Sequence, residues 1–561
     1  MNKKWQYTVN DTYRAKEIKD KFGIGILTAQ ILANKGLNDE QIKIFLKPTR
    51  NNFYDPYLMP DMKKAVDRII KAIQNKEKVV IYGDYDVDGI TSTTVLKKFL
   101  EEIGVDVGYY IPNRLKEGYG LNKDAVKQIA KTGTNLMITV DCGISGIEEI
   151  EYANSIGMDT IVTDHHKPID TLPSAIAVVD AKRKDNIYPF NQLAGVGVVF
   201  KLIQALSIKL NIDEKESLKF LDIVCLGTIA DIVPLIDENR VIAQLGLKLI
   251  EIGRNPVIKS IILNSGYRDI TSMAISFGIA PRVNACGRMG HAEEALKLFL
   301  SNNPVEIQNL TTKLNEFNRE RQEKEKSIFE EAIRKIEDNN ENKNSIIVIS
   351  GEGWHHGVIG IVASKITEMY LKPSILLCEE NGICNGSGRS IQGLDLHVAL
   401  CMTSSSLDKY GGHAMAIGLS LKKENLEEFK SNINKYVESL HLEQPQQVFD
   451  IDMCIELKDI STDEIKDLNK LEPFGESNRI PIFAIRNLKI DSIRALSEGR
   501  HLKLKLKDDK YTIDAIGFNM GELAEFYKLG EKVDILGNLE LNPYNGVYNV
   551  QMNLKDITKS I

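Results

Sequence analysis

Residues 79–94, VVIYGDYDVDGITSTT, constrain what this chain folds into more than any other stretch. The apolar or aromatic residues Val79–Tyr82 are typical of a short buried strand, and aspartates follow at alternate positions: Asp84, Asp86 and Asp88. In an extended backbone, alternate side chains point to the same side. Three converging carboxylates repel one another unless cations neutralise them, and hard divalent cations accept oxygen ligands of this kind. The segment therefore predicts a divalent-cation site.

The residues after the aspartates predict a turn and the start of a helix. Gly89 permits a tight turn, and Thr91 and Ser92 are suitable caps for the helix that follows. The same pattern also opens like the calcium loop of an EF-hand. That alternative lacks the bidentate glutamate expected six residues after the glycine, where Val95 stands, and it lacks an entering helix. An enzymatic metal site is therefore the favoured interpretation.

The bulk composition describes an ordinary globular protein of several domains. The chain has 561 residues, 43% hydrophobic and 27% charged, and a single core rarely grows beyond about 250–300 residues. No apolar run reaches about 18 residues and the amino terminus has no apolar signal core, so we expect a cytoplasmic protein without a membrane partner. The seven cysteines contain no CxxC pair, which favours reduced thiols over structural zinc.

The net charge of −7 does not by itself suggest a nucleic-acid partner. Part of this negative charge belongs to the predicted metal cluster, which bound cations would offset. Any binding site for a polyanion must therefore be a local basic surface.

From about residue 60 to 240, apolar strands alternate with helical stretches, a rhythm typical of α/β folds with a doubly wound, mostly parallel sheet. Such sheets place ligands at the carboxyl ends of their strands. The acidic and histidine candidates follow apolar runs: Asp141 ends LMITVD, Asp164-His165-His166 ends DTIVTDHH, Asp180 ends AIAVVD, and Asp231 lies in CLGTIADIVPL.

A single aspartate after a strand is usually a helix cap, but several strand ends that close on aspartate indicate a shared site. Carboxylate and imidazole ligands of this number suit two cations about 3.5–4 Å apart, the usual arrangement for activating water against a phosphodiester. The mixed ligands favour manganese, with magnesium as the alternative.

An ordered series of motifs extends over essentially the whole chain. After GDYDVDG come TVDCG, TDHH, LAGVGVVFKL, GTIADIVPL, APRVNACGRMG, WHHGVIGIVASKI, GSGRS and YGGHAMAIGL, with IPNRLKEGYGLN upstream of TVDCG. The series resembles the DHH phosphoesterase superfamily and, within it, the RecJ-type single-strand-specific exonucleases of bacteria. The tripeptide DHH alone is a weak signal, whereas the ordered series is specific.

The resemblance implies metal ligands and catalytic residues. The ligands of two metals would be Asp84, Asp86, Asp88, Asp141, His165 and Asp231. His166 would contact the scissile phosphate or the leaving oxygen, and Asp164 would orient the neighbouring histidines. Asp180 is not carried over from the family, so a strand-end cap stays its preferred role.

The resemblance also implies residues that bind the nucleic-acid backbone. Arg282 and Arg288 lie in GIAPRVNACGRMG, predicted to be a loop beside the acidic site, and Arg114 lies in IPNR. Ser387 and Arg389 in GSGRS are candidates to clamp a phosphate. For His413 in GGH, a buried structural histidine is the alternative. His355 and His356 have no acidic partners nearby in the sequence, and we interpret them as structural or phosphate-adjacent.

The chain is predicted to comprise five parts: a helical lead-in (1–50), the catalytic DHH domain (51–303), a long connecting helix (304–340), a second, smaller α/β DHHA1 domain (341–442) and an OB-like β-barrel (446–561). In RHLKLKLK, leucines alternate with lysines, so one face enters the barrel core and the other is basic. Arg500, Lys503 and Lys505 are the predicted strand-binding cations, with Arg494 and Lys510 nearby. Tyr511 and Phe518 are candidate stacking platforms.

The expected reaction is metal-dependent removal of nucleotides from the 5′ end of single-stranded DNA by two-metal activation of water, releasing 5′-mononucleotides in repair and recombination. Its polarity and its substrate come from the resemblance. The expected partners are single-stranded DNA, a single-stranded-DNA-binding protein and a repair helicase, and we expect a monomer. Two alternatives remain: a phosphodiesterase of short oligonucleotides or cyclic dinucleotides, and a non-catalytic replication factor with this fold.

Overall fold

The computed structural model describes residues 3–118, 120–443, 446–544 and 547–560. Tyr119 of the IPNRLKEGYGLN motif lies outside the described residues. Within the described residues, the α-helices are α1 Thr12–Phe22, α2 Ile26–Asn34, α3 Asp39–Leu46, α4 Met62–Asn75, α5 Val87–Glu102, α6 Lys123–Lys131, α7 Ile147–Ser155, α8 Gly195–Leu210, α9 Lys215–Leu218, α10 Leu221–Ala230, α11 Asp237–Ile252, α12 Pro256–Ser265, α13 Ala280–Arg288, α14 Ala292–Leu300, α15 Pro304–Asp338, α16 His356–Tyr370, α17 Leu396–Met402, α18 Leu426–Ser439, α19 Thr462–Leu468 and α20 Leu523–Phe526.

The strands of the same residues are β1 Lys3–Tyr7, β2 Val79–Gly83, β3 Val107–Tyr110, β4 Leu136–Val140, β5 Asp159–Thr163, β6 Ala177–Val179, β7 Ile347–Glu352, β8 Ser374–Glu380, β9 Ile383–Arg389, β10 Lys409–His413, β11 Ala416–Lys422, β12 Gln447–Ile451, β13 Met453–Cys454, β14 Phe483–Leu496, β15 His501–Lys507, β16 Thr512–Gly517, β17 Lys532–Tyr544 and β18 Val547–Lys559. No described helix has the length and apolar character needed to span a bilayer.

Two units make up the chain, and neither is continuous in sequence. The sheet unit contains Tyr54–Val233 and Gly246–Gln446, and the barrel unit contains Met1–Phe53, Pro234–Leu245 and Gln447–Ile561. The five predicted domain ranges stay predictions, because they group the chain differently from this division.

The first sheet of the sheet unit is parallel throughout, with strand order β3-β2-β4-β5-β6. The two central strands β2 and β4 are buried along their whole length, as expected for strands covered on both faces. The carboxyl ends of parallel strands lie at one edge, so Asp84, Asp141 and Asp164 emerge side by side after β2, β4 and β5. The predicted doubly wound parallel sheet is confirmed.

The second sheet has strand order β10-β11-β9-β8-β7, with β7 and β8 parallel and the other pairs antiparallel. The single helix α15 precedes it, in the place of the predicted long connecting helix. Ile328 and Ile336 of α15 are buried in one core with Ile347 of β7 and Val358 of α16. The helix is therefore packed against the second sheet's layer.

The predicted loop at 278–290 is wrong, because this segment is largely helical. A π-helical turn, Ala274–Ile279, leads directly into α13. Gly290, with a φ angle of 82°, lies in a turn after the helix, but Gly287 marks close packing, because a Cβ there would lie 2.5 Å from the carbonyl oxygen of Tyr85. Gly278 similarly faces the ring of Tyr267. The pattern of Gly and Pro does not distinguish a loop from closely packed helices, since close helix contacts demand glycine as turns do.

The barrel unit contains a closed barrel with strand order β13-β14-β15-β16-β18-β17, in which β14 also pairs with β17. Leucines 502, 504 and 506 of β15 are fully buried and the lysines alternate with them, as predicted. The OB-like barrel of the predicted fold is thereby confirmed.

The amino-terminal helices are part of this unit's core. Ile18, Leu27 and Ile42 of α1, α2 and α3 lie in one hydrophobic cluster with Leu504 and Val533 of the barrel. The lead-in thus has a structural function that its sequence did not reveal.

Arg240, in the Pro234–Leu245 segment, ties the three parts of the barrel unit together. Its buried guanidinium stacks 3.4 Å from the ring centre of Phe45 and donates hydrogen bonds to the carbonyl oxygens of Phe45, Leu471, Glu472 and Pro473. Burial lowers the pKa of Arg240 to about 9. One side chain therefore serves as partner for backbone carbonyls of segments far apart in sequence.

We predict that Arg240→Met lowers the free energy of unfolding of the barrel unit by about 3 kcal/mol or more, because several buried carbonyls lose their donor. The two tryptophans are Trp5, in the barrel unit, and Trp354, in the sheet unit. Urea unfolding followed by fluorescence in a Trp354→Phe background thus reports on the barrel unit. Arg479→Met, which removes a half-exposed ion pair with Asp450, is the control, with an expected loss below about 1 kcal/mol. Equal losses in both variants would contradict the role of Arg240.

Candidate metal centre

The aspartate-rich segment forms a turn between β2 and α5, and the extended arrangement expected from its alternation is wrong. Asp84 follows β2, Asp86 caps α5 by accepting the Gly89 N–H at 3.0 Å, and Asp88 lies in the first helical turn. Gly89 is required because a Cβ there would lie 2.4 Å from the carbonyl oxygen of Asp84. The turn divides the three carboxylates between two groups of ligands.

The predicted caps Thr91 and Ser92 do not cap α5. Thr91 lies inside the helix, where its hydroxyl donates to the carbonyl oxygen of Val87 at 2.7 Å. The start of α5 is instead held by Asp86 and by Asn284 of α13, whose side-chain oxygen accepts the Val87 N–H at 3.1 Å. Asn284 was missed from the sequence, because no spacing rule links it to residue 87.

Two groups of candidate ligand atoms lie beside the carboxyl edge of the first sheet, each with its atoms within 4.8 Å of one another. One group is Asp84, Asp86 and Asp141, and the other is Asp88, His165 and Asp231; Asp141 also groups with His165 and His166. Asp231 is not at a strand end but at the C-cap of α10. All six predicted ligands are therefore brought together by the sheet unit.

Two side chains at the centre of the site carry polar atoms that have no hydrogen-bond partner among the described residues. His165 Nε2 lies 3.2 Å from Asp141, 3.6 Å from Asp231 and 3.8 Å from Asp88, yet it has no hydrogen-bond partner among the described residues, and neither has Oδ1 of the buried Asp84. Buried polar atoms without partners are costly. Carboxylate oxygens and an imidazole in this state fit divalent cations.

The electrostatics of the site also fit cations. Burial raises the pKa of Asp84 and Asp141 well above the ordinary value, and the neighbouring carboxylates add to the effect. Burial and the charges of Asp88 and Asp86 raise the pKa of Asp231 to about 9. Burial lowers the pKa of His165 to about 3, so the ring is neutral and suited to a metal. A cation would relieve the repulsion that these shifts express.

Asp88 is partly neutralised by the protein itself. Its two carboxylate oxygens accept the N–H groups of Gly195 (2.6 Å) and Val196 (2.8 Å), at the N-terminus of α8. Helix N-termini favour anions because their first N–H groups are unpaired. Burial and Asp86 nevertheless raise the pKa of Asp88 to about 7. The LAGVG motif thus supports the acidic site, a role that its sequence alone did not indicate.

Asp164 and His166 form a separate pair beside the ligands. Oδ1 of Asp164 lies 2.7 Å from His166 Nδ1, and Oδ2 accepts the Ile144 N–H at 2.9 Å. Burial opposes ionisation of Asp164, but His166 holds the pKa of this carboxyl below its ordinary value. Burial also opposes the charge on His166, whereas Asp164 and nearby carboxylates raise its pKa to about 9.

Asp180 is buried and follows β6, where one carboxylate oxygen accepts the Lys182 N–H at 2.6 Å. This contact fits the strand-end cap expected from its sequence. Asp180 belongs to neither ligand group among the described residues.

Three of the predicted phosphate-binding arginines influence one another electrostatically. Burial lowers the pKa of Arg288 to about 10, and Arg114, Arg321 and Arg389 contribute. The guanidinium of Arg114 lies 4.9 Å from the ring centre of Tyr85, and Tyr85 is the residue that follows Asp84 in the sequence. Arg389 donates to Ser387 Oγ at 3.1 Å, and Arg288 donates to the Gly357 carbonyl oxygen at 3.2 Å. Three arginines therefore form a positive group next to the acidic site: Arg114 from the loop after β3, Arg288 from α13 and Arg389 from β9.

Arg282 is not part of this group. Its guanidinium donates to Asn315 Oδ1 at 2.6 Å and to the carbonyl oxygens of Gly278 (2.6 Å) and Asn264 (3.3 Å). The guanidinium of Arg282 therefore connects neighbouring helices and does not face the acidic site as expected. No sequence pattern separates Arg282 from Arg288, which lies six residues along the same segment.

The histidines of the second sheet occupy different environments. His413 is exposed on β10, so the alternative of a buried structural histidine is wrong; its Nδ1 accepts the Met415 N–H at 3.3 Å. His355 caps α16 by accepting the Gly357 N–H at 3.1 Å. Burial lowers the pKa of His356, and Arg114 lowers it further.

In the barrel unit, Lys503 and Lys505 line one groove of about 700 Å³ together with Arg494 and Tyr511. Lys503 donates to Gln551 at 3.0 Å and pairs with Asp514 at 3.1 Å. Asn542, Asn549 and Gln551 of the β17–β18 hairpin also line the groove and were missed from the sequence. Arg500 donates to the Ser497 carbonyl oxygen at 3.2 Å, and Phe518 packs edge-on against His501.

Comparison with known proteins assigns the parts of the chain to families. Three family models match: "DHH family, N-terminal domain" over residues 78–228, "DHHA1 domain" over 343–439 and "RecJ OB domain" over 451–556. The single-stranded-DNA-specific exonuclease RecJ of Bacillus subtilis (strain 168) is 37% identical over 564 residues, covering 99% of this chain and 71% of that protein.

Solved structures are similar over the whole chain. RecJ from Thermus thermophilus in complex with Mn²⁺ superposes with a TM-score of 0.87 at 28% identity, covering 100% of this chain and 80% of that one. The same protein in complex with Mg²⁺ gives a TM-score of 0.81 at 27% identity, covering 100% and 79%. These structures and the acidic groups described above support dependence on divalent metal ions.

The motif resemblance, the fold and the enzyme class predicted from the sequence are therefore confirmed. The chain belongs to the RecJ family of single-stranded-DNA-specific exonucleases.

Proposed function

We propose that this chain removes nucleotides from the 5′ end of single-stranded DNA with two divalent cations held by the two ligand groups. The first group is Asp84, Asp86 and Asp141, and the second is Asp88, His165 and Asp231. One observation carries the proposal: buried carboxylates surround a neutral imidazole nitrogen that has no hydrogen-bond partner among the described residues. Such an arrangement is costly without cations and suited to them.

The reaction is hydrolysis of the phosphodiester that joins the first nucleotide to the rest of the strand. Water adds to the phosphorus, the bond to the 3′ oxygen of the first nucleotide breaks, and a 5′-mononucleotide is released. When bound, the two cations would activate this water and stabilise negative charge on the phosphate and the leaving oxygen. The mixed ligands favour manganese, and the similar structures hold either Mn²⁺ or Mg²⁺.

His166 and Asp164 are assigned to the scissile phosphate. Asp164 orients the ring of His166 through Nδ1, leaving Nε2 to donate a hydrogen bond to the phosphate or to the leaving 3′ oxygen. The raised pKa of His166 supports a protonated ring at neutral pH, so its second N–H is available as a donor.

Arg114, Arg288 and Arg389 are proposed to bind phosphate groups of the strand, with Ser387 and His413 as further contacts. Their mutual repulsion supports this assignment, because like charges on half-buried side chains are unfavourable until an anion joins them. Guanidinium groups suit phosphate oxygens through paired N–H donors. Arg282 is left out, since its donors are engaged by Asn315, Gly278 and Asn264.

The groove of the barrel unit is proposed to bind the strand away from the cleaved bond. Lys503, Lys505 and Arg494 would contact phosphates, and Tyr511, which is 47% exposed, would stack on a base. Arg500 is a weaker candidate because it lies outside the residues that line this groove.

A single-stranded-DNA-binding protein and a repair helicase are proposed as partners, and a monomer as the working state. DNA as substrate also supports a cytoplasmic location. The two partner proteins are proposed from the sequence resemblance.

We predict that Asp141→Asn and Asp231→Asn each reduce release of nucleotides from 5′-labelled single-stranded DNA in Mn²⁺ by more than about 100-fold, since loss of a ligand exceeds the effect of its supporting contacts. Chelator should abolish release by the parent enzyme. Asp222→Asn is the matched control, because Asp222 is a buried aspartate in the first turn of α10, whereas Asp231 lies at its other end.

Near-parental turnover of Asp141→Asn, or an equal loss in Asp222→Asn, would contradict the metal assignment. The same assay on dinucleotides and cyclic dinucleotides tests the alternative phosphodiesterase activity. DNA binding without any metal-dependent release would instead favour the non-catalytic replication factor.

We predict that Lys503→Ala combined with Lys505→Ala weakens binding of long single strands and leaves cleavage of very short ones nearly unchanged. Each lost phosphate contact reduces the steepness of the plot of log affinity against log salt by about 0.7. The slope of the double variant should therefore be shallower than that of the parent by about 1.4. Fluorescence anisotropy over a salt series measures the slope. Lys555→Ala, an exposed lysine on β18 outside the groove, is the control. An unchanged slope in the double variant would show that the groove does not contact the strand.

A further inference from the structure

Asp141 has an unusual backbone conformation. Its φ angle is 59°, in the left-handed region that residues other than glycine seldom adopt. The residue directly follows β4, and a strand continued in extended form would place its side chain on the same face as that of Thr139. In the left-handed turn its Oδ1 lies 3.2 Å from His165 Nε2. Strained conformations of this kind persist only where the surroundings enforce them.

Thr139 closes the turn that contains Asp141. Its hydroxyl donates to the carbonyl oxygen of Cys142 at 2.8 Å, so the hydrogen bond spans Asp141. Thr139 is fully buried and Cys142 nearly so, which leaves that carbonyl without access to water as a replacement donor. Gly143, with a φ angle of 108°, packs against the same hydroxyl: a Cβ there would lie 2.6 Å from it. The turn is therefore built around the threonine side chain.

The neighbouring strand β5 holds the other side of this turn. Thr163 donates its hydroxyl to the Thr139 carbonyl oxygen at 2.7 Å and accepts the Asp141 N–H with its own carbonyl oxygen at 3.0 Å. Gly195 completes the enclosure, because a Cβ on this residue would lie 2.7 Å from the Cβ of Asp141. The backbone on both sides of Asp141 is thus fixed by hydrogen bonds, and its side chain by close packing.

We propose that Thr139 is a positioning residue for the metal centre: its hydroxyl holds Asp141 in the left-handed conformation that presents the carboxylate to the cations. The inference rests on the proposed role of Asp141 as a metal ligand. The Thr139 hydroxyl donates to a backbone carbonyl and not to a ligand atom, so its influence acts through the conformation of Asp141. Supporting contacts of this kind change metal affinity by about 10- to 100-fold.

The test compares Mn²⁺ binding to metal-free full-length variants by isothermal titration calorimetry. Thr139→Val keeps the shape and removes the hydroxyl, and we expect its Mn²⁺ affinity to fall by about 10-fold or more. Thr139→Ser restores the hydroxyl and should recover the parental affinity. Thr160→Val is the matched control, since Thr160 is a fully buried threonine of β5 whose hydroxyl has no hydrogen-bond partner among the described residues.

A second readout separates positioning from general destabilisation. For Thr139→Val, the Mn²⁺ concentration that gives half-maximal nuclease activity should rise, while kcat at saturating Mn²⁺ recovers most of the parental value. Parental Mn²⁺ affinity in Thr139→Val, or a lower melting temperature without a change in affinity, would overturn the proposal. If Thr139→Val does not fold, Thr163→Val tests the same turn from β5, and unchanged Mn²⁺ affinity there would likewise overturn it.

Asp141→Asn distinguishes this inference from the proposed function. Loss of a Mn²⁺ site in Asp141→Asn together with parental binding in Thr139→Val would reject the positioning role alone. Parental binding in both variants would reject Asp141 as a ligand.

Discussion

Repulsion among buried carboxylates is the constraint on which the rest of the sheet unit depends. Asp84, Asp88, Asp141 and Asp231 are gathered where burial and their mutual charges disfavour ionisation. The protein offsets part of this cost locally, since the N-terminus of α8 donates two N–H groups to Asp88. The remaining repulsion is unfavourable without cations, which fits the proposed metal centre.

Charges of opposite sign come from different elements of the same unit. Asp84 and Asp141 follow strands of the first sheet, whereas Arg288 and Arg389 come from α13 and the second sheet. Because the half-buried arginines lie near one another, partial burial and like charge lower the pKa of Arg288. The acidic groups suit metal cations and the arginines are cations themselves, so a polyanion could contact positive charge in both regions. The overall charge of −7 conceals this arrangement.

The barrel unit follows another principle, in which distant segments share one core. Helices α1, α2 and α3 pack with strands more than 400 residues later, and the Arg240 guanidinium binds carbonyls of two of these segments. A barrel this small gains apolar burial from the added helices. The unit is therefore not a simple carboxy-terminal module.

The sequence by itself determined the parallel sheet, the barrel and the chemical nature of the site, because strand periodicity and acidic residues after apolar runs are local patterns. It did not determine how Asp84, Asp86 and Asp88 divide between two groups, since a turn replaced the extended backbone. Nor did it separate Arg282 from Arg288, whose partners come from other helices. Asn284 and Gly195 act through hydrogen bonds on residues elsewhere in the fold. Only the tertiary structure decided these roles, because they depend on which backbone atoms from distant segments lie within hydrogen-bonding distance.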